Sequence, residues 1–222
     1  LYAVAAASPS AAWAVGDSNN DVPLILGWDG LRWQTISLVS SGLGDVKGSV
    51  GAVAAISPDN VWIGGFLRRG GQQNLVIHWD GTGWKTVRIP VEGISDVSVV
   101  SENDIWAVGG DAFSSPAVLH WDGSRWRRVR GGVPLSGDLD AITALSARNV
   151  WVAGTTNRQT NAHIFAEHWD GHRWKFFRTP RVRGTHLSFL NDLAASANAV
   201  WTVSLAFFRR DAPLIERYAC SR

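Results

Sequence analysis

The stretch His120-Trp121-Asp122-Gly123-Ser124-Arg125-Trp126 decides the fold, because its core phrase is repeated along the chain: Trp-Asp-Gly, two variable residues, Trp. Copies run from Trp28 to Trp33, Trp79 to Trp84, Trp121 to Trp126 and Trp169 to Trp174. A short phrase recurring every ~40 to 50 residues marks a repeat architecture. A second phrase, Ser, four residues and Trp, marks the same units at Ser8 to Trp13, Ser57 to Trp62, Ser101 to Trp106, Ser146 to Trp151 and Ser196 to Trp201. Five units follow, at approximately 1–47, 48–91, 92–136, 137–187 and 188–222, in one expected domain. The two phrases absorb all 13 Trp residues, so none is left to mark a unique site.

Within each unit, apolar residues come in four short bursts separated by turn chemistry, the pattern of a four-stranded antiparallel sheet. In the second unit the bursts are Ala52 to Ile56, Val61 to Gly65, Leu75 to Trp79 and Trp84 to Arg88. Four strands per ~45 residues predict an all-β chain, a β-propeller of five blades. The first strand of each unit is built from small residues, such as Val4 to Ala7 and Ala52 to Ala55, and is therefore placed at the centre, where blades converge. The Trp residues are expected to fill the wedges between blades. In each Asp-Gly turn the Asp is expected to accept from turn amides while Gly supplies a positive φ. The fifth unit ends at Tyr218 in place of Trp, with no room for a fourth strand, so either the last blade is expected to be incomplete or the chain to be part of a longer ring, five blades being the simplest count.

Composition narrows the function. The formal charge is +2 and Arg outnumbers Lys 18 to 3, which taken alone would suit a polyanion. Yet Lys85, Arg88, Arg127, Arg130, Lys175 and Arg178 recur at matching places after the second Trp of the phrase, where charge blunts an exposed sheet edge. Nucleic acid is accordingly not expected as a partner. No apolar run approaches the ~18 residues of a membrane helix, so no membrane insertion is expected. The single cysteine, Cys220, excludes an internal disulfide. The chain lacks Met and begins at Leu1, so a leader, tag or neighbouring domain is expected to precede it; a cleaved secretion signal is one explanation and would place the protein outside the cell or on its surface.

The phrases His78-Trp79-Asp80-Gly81 to Trp84 and His120-Trp121-Asp122-Gly123 to Trp126 resemble the repeats of bacterial propeller lectins that bind fucose and related sugars. In those repeats a Trp-Trp-Asp-Gly turn is followed by another Trp; here one Trp stands where they often carry two. The resemblance covers the turn and flanking strands of four of the five units. It implies a glycan ligand, held between blades or on the variable-loop face, and it transfers no sugar-contacting residue to this chain.

The residues leave several readings open. Connections between second and third strands, and between units, vary widely, whereas the other turns keep constant length, so one face is expected to bind. On that face Arg68 with Arg69, and Phe208 with Arg209 and Arg210, occupy equivalent loops, either as solvated charges or as Arg forks for an anion. Trp79, Trp121 and Trp169 are the candidates for stacking a sugar between blades. Counted from the Ser-to-Trp phrase, Asp192 lies where other units have Val4, Val53, Val97 and Ile142. An unpaired buried carboxylate is costly, so Asp192 should be exposed, paired or functional. With His186 and His163 it is the candidate catalytic set for a lyase, cyclase or hydrolase working over the central channel. A protein-interaction platform presenting Phe207 or Phe208 is the third reading. His78, His120 and His168 fall on different blades, no metal motif is present and no cofactor is implied. A carbohydrate-binding propeller is the reading the residues favour.

Overall fold

The computed structural model describes residues 1–18, 21–70, 72–111, 115–130, 137–156, 163–178, 187–196, 199–207 and 212–219. They form five antiparallel sheets, each from one repeat unit and each ordered as in sequence. Sheet one holds β1 (Ala3–Ser8), β2 (Ala11–Ser18), β3 (Val22–Trp28) and β4 (Trp33–Thr35). Sheet two holds β5 (Lys47–Ser57), β6 (Asn60–Arg69), β7 (Gln72–Trp79) and β8 (Trp84–Arg88). Sheet three holds β9 (Gly93–Ser101), β10 (Asp104–Asp111), β11 (Ser115–Trp121) and β12 (Trp126–Arg128). Sheet four holds β13 (Asp138–Ser146), β14 (Asn149–Thr156), β15 (His163–Trp169) and β16 (Trp174–Arg178). Sheet five has three strands, β17 (Leu187–Ser196), β18 (Ala199–Phe207) and β19 (Ala212–Ala219), so the last blade is incomplete as the sequence predicts. The architecture is a β-propeller. No helix among the described residues is long and apolar enough to cross a membrane.

The inner strands pack one on the next, β1 on β5, β5 on β9, β9 on β13 and β13 on β17. Large side chains would collide there, which explains runs such as Ala3 to Ala7. Alternation along each strand then sends successive residues to opposite faces. On β6, Val61 and Ile63 face sheet one, while Trp62 faces sheet three. The same division holds in sheet three, where Ile105 and Ala107 face back and Trp106 faces forward, and in sheet four, with Val150 and Val152 against Trp151. Each pair of consecutive sheets therefore encloses its own apolar wedge, and there are four such wedges. Full burial of a side chain such as Ile63 or Val150 contributes about 1.5–3 kcal/mol.

Polar bonds near the channel join the same neighbours. Asp17 accepts from Val50 N–H at 2.9 Å and from the Ser49 hydroxyl at 2.7 Å. Asp96 Oδ2 accepts from Ile142 N–H at 2.8 Å, and Ser98 Oγ from Ala144 N–H at 2.9 Å. Inner-strand amides that no sheet partner could reach are thus satisfied by the preceding blade.

The Asp-Gly turns behave as their chemistry requires. Oδ1 of Asp29, Asp80, Asp122 and Asp170 accepts two turn amides each, all at 2.9–3.0 Å. These bonds favour the charged carboxyl and hold Asp80 and Asp122 far below the usual range, led by the hydroxyls of Thr82 and Ser124. The glycines after them have φ between 84° and 94°. Each turn fixes two indoles at centroid distances of 5.4–5.9 Å and tilts of 40–49°.

Gly81 and Gly83 lie in one turn and make a controlled pair. A Cβ on Gly81 would fall 2.9 Å from that of Asp59, at φ 84°, whereas one on Gly83 meets nothing within 4 Å. Gly81→Ala is expected to destabilise by about 1–3 kcal/mol and Gly83→Ala to be near neutral, read by chemical denaturation. Equal losses would show that the turn does not impose the left-handed backbone.

Candidate functional site

Three half-buried residues carry the sequence-based expectation of a site between blades: Trp79, Trp121 and Trp169. Each lies at the outer end of a wedge, facing the preceding sheet. Trp121 meets Trp62 across the second wedge at 4.8 Å, and Trp169 meets Trp106 across the third at 6.4 Å. Trp79 packs with Trp84 into the first. All three are wedge packing, with one indole face each committed to another ring.

The wedge between sheets three and four carries an acid, Glu167, where the first two wedges carry an apolar residue, and in sheet five Glu216, paired with Thr202, holds the same register. Glu167 pairs with Val152 and Phe176, and it points to the same face as Phe165, into the cluster containing Trp106, Trp169 and Trp174. At the equivalent positions the earlier units carry Ile77 and Leu119. Glu167 is fully buried, and its Oε2 has no hydrogen-bond partner among the described residues. Burial alone pushes its carboxyl up from the ordinary 4.5 to about 7. On the same face the Trp174 indole N–H is also buried without a partner, whereas Trp169 donates to Ala147 O at 3.2 Å. Phe165 and Phe176 stack at 5.7 Å beside them, and the Phe176 ring is exposed. An acid able to donate or accept, an unused indole N–H and several aromatic faces thus converge in one wedge. The sequence signal was the residue before His in the repeat, which reads Ile77, Leu119, then Glu167.

The repeated histidines have a local role. Asn60 Oδ1 accepts from both the Trp62 indole and His78 Nε2 at 3.0 Å, while the Trp62 and His78 rings stack at 3.9 Å. Asp104 holds Trp106 and His120 at 2.7 and 2.8 Å, and Asn149 holds His168 at 2.9 Å. Desolvation lowers His78 to about 4, so at neutral pH its Nε2–H donates and Nδ1 is left bare. Each imidazole is thereby fixed on its own sheet.

At the loops, Arg68 pairs with Asp21 at 3.2 Å, and Arg69 with Asp45 at 2.8 Å and with Gly42 O at 2.9 Å. Both guanidinium groups tie unit two to loops of unit one. Asp192 is exposed, and its Oδ1 accepts from Leu193 N–H at 2.6 Å. Its register corrects the count made from sequence: Asp192 pairs with Val203 as Asp96 pairs with Val108, so it matches Asp96, and Leu193 takes the place of Val4, Val53, Val97 and Ile142. The reason is a bulge near the end of β1, β5, β9 and β13 that β17 lacks. Asp96 is held up at about 7, first by burial, and the charge of Asp192 acts in the same direction. His186, Phe208, Arg209 and Arg210 lie outside the described residues, as does the side chain of His163.

No family model matches this sequence, and no curated protein does. Among solved structures the fold is similar to SapL1 lectin in complex with α-methyl fucoside, at 16% identity over 95% of this chain and 78% of that one, with a TM-score of 0.60. It is also similar to the fucose-specific lectin from Aleuria aurantia, at 13% identity over 96% and 76%, TM-score 0.63. The xyloglucanase of Xanthomonas campestris matches at 13% identity, over 91% of this chain and 36% of that one, TM-score 0.58. These likenesses place the chain among β-propellers whose relatives in shape include fucose-specific lectins.

Glu167 gives a pH prediction. An acid whose native pKa lies above its unfolded value contributes its full stability below the unfolded value and loses it as pH rises through the native one. Between pH 4.5 and 7 Glu167 is therefore expected to withdraw on the order of 3 kcal/mol, in the same direction as Asp96. Glu167→Gln should match the parent near pH 4.5 and exceed it at pH 8 in urea melts. Parallel stability curves for the two proteins would mean that Glu167 is solvated in the native state.

Proposed function

We propose that the chain is a carbohydrate-binding propeller and that a sugar is held between blades, in the wedge of sheets three and four. The observation that carries this reading is Glu167. A buried carboxyl group with an unpartnered oxygen costs about 1–3 kcal/mol, and the bare Trp174 N–H adds to it. A polyhydroxyl ligand would satisfy both while laying its C–H face on the neighbouring rings. The likeness in shape to fucose-specific lectins supports the same class of ligand. Trp79 and Trp121 stand at the equivalent places of the other wedges, where Ile77 and Leu119 replace the acid, so they would give weaker sites of the same kind.

A glycan array followed by titration of the hit against Trp fluorescence tests the proposal. Glu167→Leu, which restores the side chain of Leu119, is expected to fold and to lose at least ~10-fold in affinity, about 1.4 kcal/mol. Unchanged affinity in that variant would remove the wedge as the site. A blank array would favour the enzyme reading, a single site over the channel with Asp192, His186 and His163.

A further inference from the structure

Each of the four wedges is built in the same way, and that regularity exposes an exception. Its wall from the following sheet includes an inner-strand residue that is buried at Val53 (8% exposed), Ile142 (4%) and Leu193 (5%) and half-buried at Val97; the matching Val4 of sheet one is 67% exposed. Its wall from the preceding sheet includes a third-strand residue buried at Ile25 (0%), Val76 (2%), Val118 (0%) and Ala166 (1%); the matching Ile215 of sheet five is 71% exposed. Val203, paired with Ile215, is 42% exposed where Val15 and Val108 are sealed. Leu1 and Tyr2 are exposed beside Val4. Among the described residues, sheets one and five therefore present the two halves of a wedge that no other sheet fills, and β17 does not pack on β1 as the other inner strands pack on their neighbours.

We infer that this opening is a fifth wedge split in two, and that it takes one further four-stranded unit of the same repeat. The occupant is set by continuity with the existing interfaces. One side needs the small inner strand and apolar third strand that every unit turns toward its predecessor; the other needs the forward Trp, with the third-strand apolar residue beside it, that every unit turns toward its successor. Only a blade has both faces. Asp192 points to the same partner. Asp96 spends Oδ1 on Val97 N–H and Oδ2 on the inner-strand amide of the next sheet. Asp192 occupies the same register and makes the same first bond, to Leu193 N–H. Its second oxygen corresponds to the one that would receive an inner-strand amide of the added blade.

The test compares the 222-residue chain with a version extended after Tyr218 by a copy of residues 122–178, which supplies a fourth strand for sheet five and one blade. The original chain is expected to sediment as a monomer and to bind the apolar dye anilinonaphthalene sulfonate; the extended one should lose most of that signal, ~5-fold, and melt higher. Ile215→Asp is expected to leave the melting temperature of the original chain unchanged and to lower that of the extended chain. A dimer of the original chain that Ile215→Asp splits would instead make a second copy the occupant. An extended chain with undiminished dye binding would overturn the inference outright, since a mere gain of mass cannot be mistaken for closure.

Discussion

Everything in this molecule depends on the burial of both faces of the three middle sheets and of one face of each sheet at the ends. The central strands carry bulky residues to either side without a polar break, as in Val61-Trp62-Ile63 or Val150-Trp151-Val152, and all six are sealed. A lone sheet of this kind would expose a face it could not hide. Stacking against a neighbour on each side removes the problem, and it fixes the order of units because each wedge has a forward Trp and a backward apolar pair. Stability of this form is a sum over nearest neighbours, so the sheets with only one neighbour, one and five, are the least supported.

The units are similar without being equal. Where the residue two before the central Trp is Asn60, Asp104 or Asn149, its cross-strand partner is His78, His120 or His168. Where it is Ala11 or Ala199, the partner is Gly27 or Arg217. The acceptor and the imidazole are present together or absent together, because an imidazole stacked on the indole needs an oxygen for its Nε2. The two units without the pair are the first and the last. In the last, Arg217 lies over Trp201 at 5.8 Å and covers the indole face that His covers elsewhere.

Much of this was legible in the sequence, since turn chemistry and alternation are local. The five units, the antiparallel sheets, the Asp acceptors, the positive φ of Gly81 or Gly123 and the missing last strand follow from residues within ten positions of one another. What depends on three-dimensional meeting was not legible. Arg68 and Arg69 looked free because their partners, Asp21 and Asp45, lie in another unit's loops. Asp192 was matched to the wrong siblings because a bulge adds one residue to four inner strands and not to the fifth. Glu167 was hidden by its own repeat, sitting at a core position beside a His and a Trp that drew attention as members of the phrase.

The four turn-borne pairs of indoles have an optical consequence. Two chromophores held ~5–6 Å apart at a fixed tilt exchange excitation, and a chiral scaffold gives the coupled states circular dichroism of opposite sign. The same backbone turn sets all four pairs, so the coupling recurs at each with a similar separation and tilt. The chain thus carries an intrinsic spectroscopic label on each Asp-Gly turn.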